Sequence, residues 1–223
     1  MIVKTFKEPP IDNNNYLLID EETKEAALID CSSRGIWDKV PYGFGDAKIS
    51  TSGNNREEIK GITLKYILLT HGHFDHIAGL KPPSLHGEEE HIPVCMHKAD
   101  TGWVKKVNDY MPMMGMPEIE VPEIDKFIND GDVIKLGNYE IKVIHTPGHT
   151  QGGVCYYVDN KLFSGDTIFR ESVGRCDLDG GSFESIVESI ENRIFTLPDE
   201  TEIYPGHGRP TTVAWEKENN YYM

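Results

Sequence analysis

Ile62 to Thr70 reads ITLKYILLT and runs directly into His71-Gly72-His73-Phe74-Asp75-His76. The first stretch is rich in β-branched and apolar residues, the composition of a buried strand. The second places histidines and an aspartate where that strand ends. On extended backbone His71 and His73 lie two apart and point the same way. Asp75 and His76 follow where the chain turns toward a helix. Such a segment can offer ligands to two adjacent metal ions rather than one.

The same pattern returns three times downstream. His149 lies in Thr146-Pro147-Gly148-His149-Thr150, Asp166 in Phe163-Ser164-Gly165-Asp166-Thr167, and His207 in Tyr204-Pro205-Gly206-His207-Gly208. Each follows a strand signal and has glycine beside it, which lets backbone turn sharply and approach an ion closely. A rigid core can set the geometry of such strand ends while loops shape the pocket. Imidazole and carboxylate suit zinc, iron or manganese, and no cysteine joins the set, against a purely structural zinc site. A carboxylate such as Asp166 can bridge two ions, which would hold an acidified hydroxide between them as nucleophile. The ions would also polarise a scissile carbonyl.

Around these motifs the chain reads as short strands. Tyr16 to Ile19 and Ala26 to Ile29 flank a polar turn and predict a hairpin. Pro93 to Met96 predicts another strand, Gly131 to His145 two strands joined at Gly137-Asn138, and Val154 to Ser164 a hairpin around Asp159-Asn160. Glu202 to Tyr204 predicts a final strand. Helices are expected over Ala99 to Val107, over Ser182 to Phe195 with Ser182 as N-cap and Pro198 beyond its end, and over Thr211 to Asn219. Recurrent hairpins in both halves fit two sheets flanked by helices better than an all-parallel sheet. Pro41 to Asn55, and the methionine-rich stretch Asn108 to Glu123, read as irregular loops.

The 223 residues suit one domain over 1–223, with a core that needs no disulfide staples. A formal net charge of -15 argues against nucleic acid as a partner, leaving a small-molecule substrate. Cys31, Cys95, Cys155 and Cys176 form no C-x-x-C pair and read as reduced thiols of a cytoplasmic protein. Met1 to Pro10 lacks the apolar stretch of a signal peptide, and no segment approaches the roughly 20 apolar residues of a membrane span.

HGHFDH resembles the H-x-H-x-D-H signature of the metallo-β-lactamase superfamily, and His149, Asp166 and His207 match its later motifs in order. Gly165 to Arg170, Gly174-Arg175-Cys176-Asp177-Leu178 and Tyr204 to Gly208 resemble its glyoxalase II-like branch. The resemblance implies an αββα sandwich, two mixed β-sheets flanked by helices, with the site at one edge. It implies His71, His73 and His149 on one metal, Asp75, His76 and His207 on the other, and Asp166 bridging. Two zinc ions per chain are implied, with iron or manganese as alternatives. Asp75 is the implied catalytic group, orienting the hydroxide or taking its proton. The implied activity is hydrolysis of a thioester such as an S-acylglutathione. A persulfide dioxygenase with a single iron shares the scaffold and these ligands, and stays open as the alternative. β-Lactamase and nuclease activities fit less well. Glyoxalase II enzymes continue into a C-terminal helical domain that helps bind glutathione, whereas this sequence stops at Met223 and resembles the shorter glyoxalase II-like proteins. Cys31 stands where relatives have an Asp-Pro-Gly turn, and Cys176 where threonine is common.

The remaining polar residues carry two readings each. His86, His91, His97 and His145 fit no ligand pattern and are expected at the surface or satisfied by neighbours. Asp30 either hydrogen-bonds a ligand histidine or shapes a turn. Arg170 and Arg175 either bind a substrate carboxylate or pair with acidic neighbours.

Overall fold

The computed structural model describes residues 1–9, 11–40, 61–80, 91–121 and 123–223. The expected loop at Pro41 to Asn55, and His86, lie outside the described residues. Two six-stranded sheets form the centre. The first comprises, in spatial order, β1 (Ile2–Glu8), β2 (Asn13–Ile19), β3 (Glu25–Ile29), β4 (Thr63–Leu68), β5 (Val94–His97) and β6 (Lys126–Ile128). It is antiparallel from β1 to β3 and parallel from β3 to β6.

The second sheet contains β7 (Val133–Leu136), β8 (Tyr139–His145), β9 (Val154–Val158) and β10 (Lys161–Gly165). A short ribbon, β11 (Ile168–Phe169) and β12 (Ser172–Val173), follows outside it. β13 (Glu202–Pro205) and β14 (Thr211–Thr212) complete the sheet in the order β14-β13-β10-β9-β8-β7. Only β10 and β13 pair in parallel.

Burial explains the layering. Every residue of β2 is buried, so both its faces are covered. Tyr16 and Leu18 point toward the other sheet, joining Ile29, Leu68, Tyr156 and Phe163 in the central core. Leu17 and Ile19 point the opposite way, into a cluster with Ile36, Trp37, Ile77, Val104 and Met111. That cluster seats α1 (Phe74–Ile77), α2 (Thr101–Lys105) and α3 (Val107–Tyr110). Beyond the second sheet, Leu162 and Ile203 pack on Ile186, Ile190, Ile194 and Val213. These come from α4 (Phe183–Ser189), the π turn Ile190–Ile194 that extends it, and α5 (Val213–Asn219). The result is helix, sheet, sheet, helix, as the resemblance implied.

The expected hairpins are present, and Asp159 and Asn160 take φ of 50° and 57°, the double left-handed turn that suits a two-residue loop. Ser182 caps α4, its Oγ accepting from the Ser185 amide at 3.2 Å. Three expectations change. The helix over Ala99 to Val107 is broken into a 3-10 turn, α2 and α3, with Gly102 inside α2 as a weak helix former. The terminal helix starts only at Val213, because Thr211 and Thr212 pair with β13 and Thr212 caps the Trp215 amide. The stretch from Asn108 includes part of α3, and its methionines divide: Met111 is buried while Met113 is 79% exposed. β1 and β6 were not anticipated.

Candidate metal centre

The ligand candidates gather at one end of the two sheets because each follows a strand. β4 delivers His71 and His73, and α1 begins at once, so Asp75 and His76 sit in its first turn. β8, β10 and β13 deliver His149, Asp166 and His207. Two glycines permit the approach. Gly148 has φ 143°, and a Cβ there would lie 2.4 Å from the Ile186 backbone. A Cβ on Gly206 would lie 2.3 Å from Asp166 Oδ1.

Three ligand sets result, each with its atoms within 4.8 Å of one another: His71, His73 and His149; His71, His76 and Asp166; Asp75, His76 and His207. In the first, His73 Nδ1 lies 3.1 Å from His71 Nε2 and 2.9 Å from His149 Nε2. In the last, Asp75 Oδ2 lies 3.3 Å from His207 Nε2 and 3.5 Å from His76 Nε2. Asp166 reaches both sides. Its Oδ1 is 3.4 Å from His76 Nε2, and its Oδ2 is 3.6 Å from both His149 and His207 Nε2.

The far sides of three of these rings, His71, His76 and His149, are held. Asp30 Oδ2 lies 2.8 Å from His76 Nδ1, and Asp30 Oδ1 accepts from the Thr70 amide at 2.8 Å. His149 Nδ1 donates to the Arg175 carbonyl at 2.7 Å, and Thr70 Oγ1 lies 3.1 Å from His71 Nδ1. Such partners fix which nitrogen faces the centre. Asp30 thus takes the histidine-holding role, one of the two read for it from the sequence.

Asp100 is a residue the sequence reading missed. Buried on the 3-10 turn before α2, its carboxylate accepts from the Gly72 and Gly152 amides at 2.9 and 2.6 Å and from Thr150 Oγ1 at 2.8 Å. It ties together the loops carrying His73 and His149. Asn13, whose Nδ2 donates to Asp75 Oδ2 at 3.3 Å, was missed as well. Neither lies in a motif, and each meets its partner only through the fold.

The electrostatics suit a cation. Burial and the neighbouring imidazoles hold His71 well below the usual histidine range, and burial with His149 brings His73 down to about 3. Both are therefore neutral, the form that binds metal. Burial alone would lower His76, but Asp30, Asp75 and Asp166 push it well above the ordinary value. Burial opposes ionisation of Asp75 and Asp166, yet the adjacent histidines, His76 foremost, hold both carboxyls low. His76 Nε2 and Asp166 Oδ1 are buried with no hydrogen-bond partner, although 3.4 Å apart. An unpaired buried polar atom costs roughly 1–3 kcal/mol, a penalty that a shared ion removes. The residues present fit a metal pair.

The two arginines part company. Arg170 does not line the cavity before these ligands; its guanidinium lies over the Trp215 ring at 4.1 Å, in a separate depression. Its Nε lies 3.4 Å from Glu171 Oε1, the pairing with an acidic neighbour that was the other reading of this residue. Arg175 does line the cavity, paired with Asp177 at 2.7 and 2.8 Å. Cys31 is fully buried, and neither it nor Cys176 lines the cavity. His91 pairs with Asp125 at 2.6 Å, and His97 stacks on His145 with centroids 4.4 Å apart.

Comparison with known proteins agrees with this geometry. The chain is 35% identical over 218 residues to the probable metallo-hydrolase YqgX of Bacillus subtilis, covering 96% of this chain and 93% of that protein. It is 30% identical over 215 residues to the hydroxyacylglutathione hydrolase GloC of Haemophilus influenzae, covering 94% and 92%. The crystal structure of BLEG-1 B3 metallo-beta-lactamase matches at 29% identity over 99% of both chains, with a TM-score of 0.79. That of TTHA1623 in a di-iron-bound form matches at 27% identity over 99% of this chain and 100% of the other, with a TM-score of 0.75. Residues 9–207 match the family model of the metallo-beta-lactamase superfamily, and the chain belongs to that superfamily.

Proposed function

We propose that this protein is a hydrolase of thioesters with a two-metal centre held by His71, His73 and His149 on one side, Asp75, His76 and His207 on the other, and Asp166 between them. The observation that carries this reading is the position of Asp166, whose two oxygens reach His76 and His149 of opposite sets. The name of the GloC relative, a hydroxyacylglutathione hydrolase, supports a thioester, and the di-iron-bound relative supports two ions. Zinc is the expected metal, and iron or manganese suits the same ligands.

Bound there, the metals supply an acidified water and positive charge for a developing oxyanion. The chain's own groups do the rest. Asp75, steadied by Asn13 and His207, lines the cavity, where its carboxylate can orient the attacking water and take its proton. Asp30 and the Arg175 carbonyl keep the rings of His76 and His149 turned inward. The water oxygen adds to the carbonyl carbon, the carbon–sulfur bond breaks with its electron pair leaving on sulfur, and the proton returns to the thiolate. The products are a thiol and a carboxylic acid, which ionises to the carboxylate with release of one proton to solvent.

The test is a thioester panel on protein reloaded separately with zinc, iron and manganese. Release of thiol with at least one metal is the expected result. A dimetal protein inactive on every thioester removes the substrate assignment and leaves the site. Oxygen consumption on a persulfide by protein holding a single iron replaces hydrolysis with the dioxygenase reading.

A further inference from the structure

The cavity before the ligands has a volume of about 510 Å³, and its described wall is mostly apolar. On the His73 side, Trp103 meets that imidazole edge-on with centroids 4.3 Å apart. Tyr110 lies 5.7 Å from Trp103, and Phe74 stacks on Tyr110 at 6.2 Å with planes 12° apart. All three rings line the cavity, one from each of α1, α2 and α3. On the His207 side, Phe169 stands 6.1 Å from the imidazole and lines the same cavity. Any reacting carbon held between the ligand sets therefore has apolar surface on both flanks.

Among the described residues, positive charge on that surface is sparse. Arg175 carries the one guanidinium or ammonium group among the described residues of the wall. Its Nε and a terminal nitrogen both go to Asp177, whose carboxyl this pairing holds down at about 2. Two donor nitrogens of Arg175 are thereby already engaged by an acidic neighbour. A chain of net charge -15 further disfavours an anionic ligand.

Resting on the thioester reading above, we propose that the substrate is apolar on both sides of its carbonyl: an acyl group of aryl size, seated against Trp103 and Tyr110, on an uncharged thiol. Glutathione, with two carboxylates, is then a poor carrier. The aromatic wall selects by area removed from water, and one added ring is worth about tenfold or more in kcat/KM.

Four thioesters test this with the metal-loaded protein: phenylacetyl and acetyl esters, each of glutathione and of the neutral thiol N-acetylcysteamine. Rates are normalised to hydroxide hydrolysis in buffer. The expected result is a phenylacetyl-to-acetyl ratio of about ten or more on the neutral thiol, and slower turnover of both glutathione esters. Trp103→Ala and Tyr110→Ala, with thermal midpoints recorded alongside, each bring that ratio toward one. Equal rates for the two acyl groups, or faster turnover of the glutathione esters, overturns the inference and leaves thioester hydrolysis standing. Hydrolysis of none of the four overturns the thioester reading as well.

Discussion

Asp30 has φ 59°, a left-handed conformation uncommon outside glycine, and from there its carboxylate reaches both Thr70 and His76. Removing it frees the His76 ring and leaves the buried Thr70 amide unpaired. Asp30→Ala is expected to weaken metal affinity by roughly 10–100-fold, read by chelator competition. Unchanged affinity would take Asp30 out of the metal site. Asp75 does different work. Asp75→Ala is expected to lower kcat by roughly 10²–10⁴-fold while the ion on His71, His73 and His149 stays bound. Full activity in that variant refutes the role given to Asp75. The pKa directions add an order of loss. His71 and His73 are held low, so protons do not compete with metal there until the pH is well below the ordinary histidine value. His76 and His207 are raised, burial being outweighed by the carboxylates around them, so protons compete there at higher pH. On stepwise acidification the ion on Asp75, His76 and His207 is expected to leave first. Metal content after dialysis along a pH series checks this, and simultaneous loss of both ions contradicts it.

Gly148 links two elements, since it carries the chain from β8 to His149 beneath the first turn of α4. With φ 143° and no room for a Cβ beside Ile186, Gly148→Ala is expected to cost at least roughly 1–3 kcal/mol and to misplace His149. A thermal midpoint within a degree of the parent protein would contradict the close packing of α4 on that loop. Such elements differ in how openly the sequence announces them. The β2–β3 and β9–β10 hairpins were legible because apolar runs flank short polar turns, and α4 because its apolar residues recur at helical spacing above a serine cap. β1 was not, since its partly exposed edge carries Lys4 and Lys7, and β6 is three residues with two exposed. β14 borrows two threonines that read locally as a helix start. The seven ligand candidates were legible because each sits at a strand end within a short motif. Asp100 and Asn13 were not, because their partners lie across the fold. Which of its two readings Arg170 takes was not legible, because chain proximity to Asp166 says nothing of the way the β11–β12 ribbon turns.

At the scale of the molecule, four layers bring ligand loops from both sheets to one end, so the centre depends on the sheets packing together. The central core between them draws on both, with Tyr16 from the first and Phe163 from the second 5.2 Å apart. No helix among the described residues is long and apolar enough to cross a membrane. On the proposed function, seven side chains hold two ions and hydrolysis depends on both. The most direct measurement strips the protein with a chelator and titrates zinc back while following metal content and thiol release together. Saturation at two ions per chain is expected, with thioester hydrolysis appearing as the second ion binds. Saturation at one ion, with full hydrolysis at that point, would contradict the proposed function.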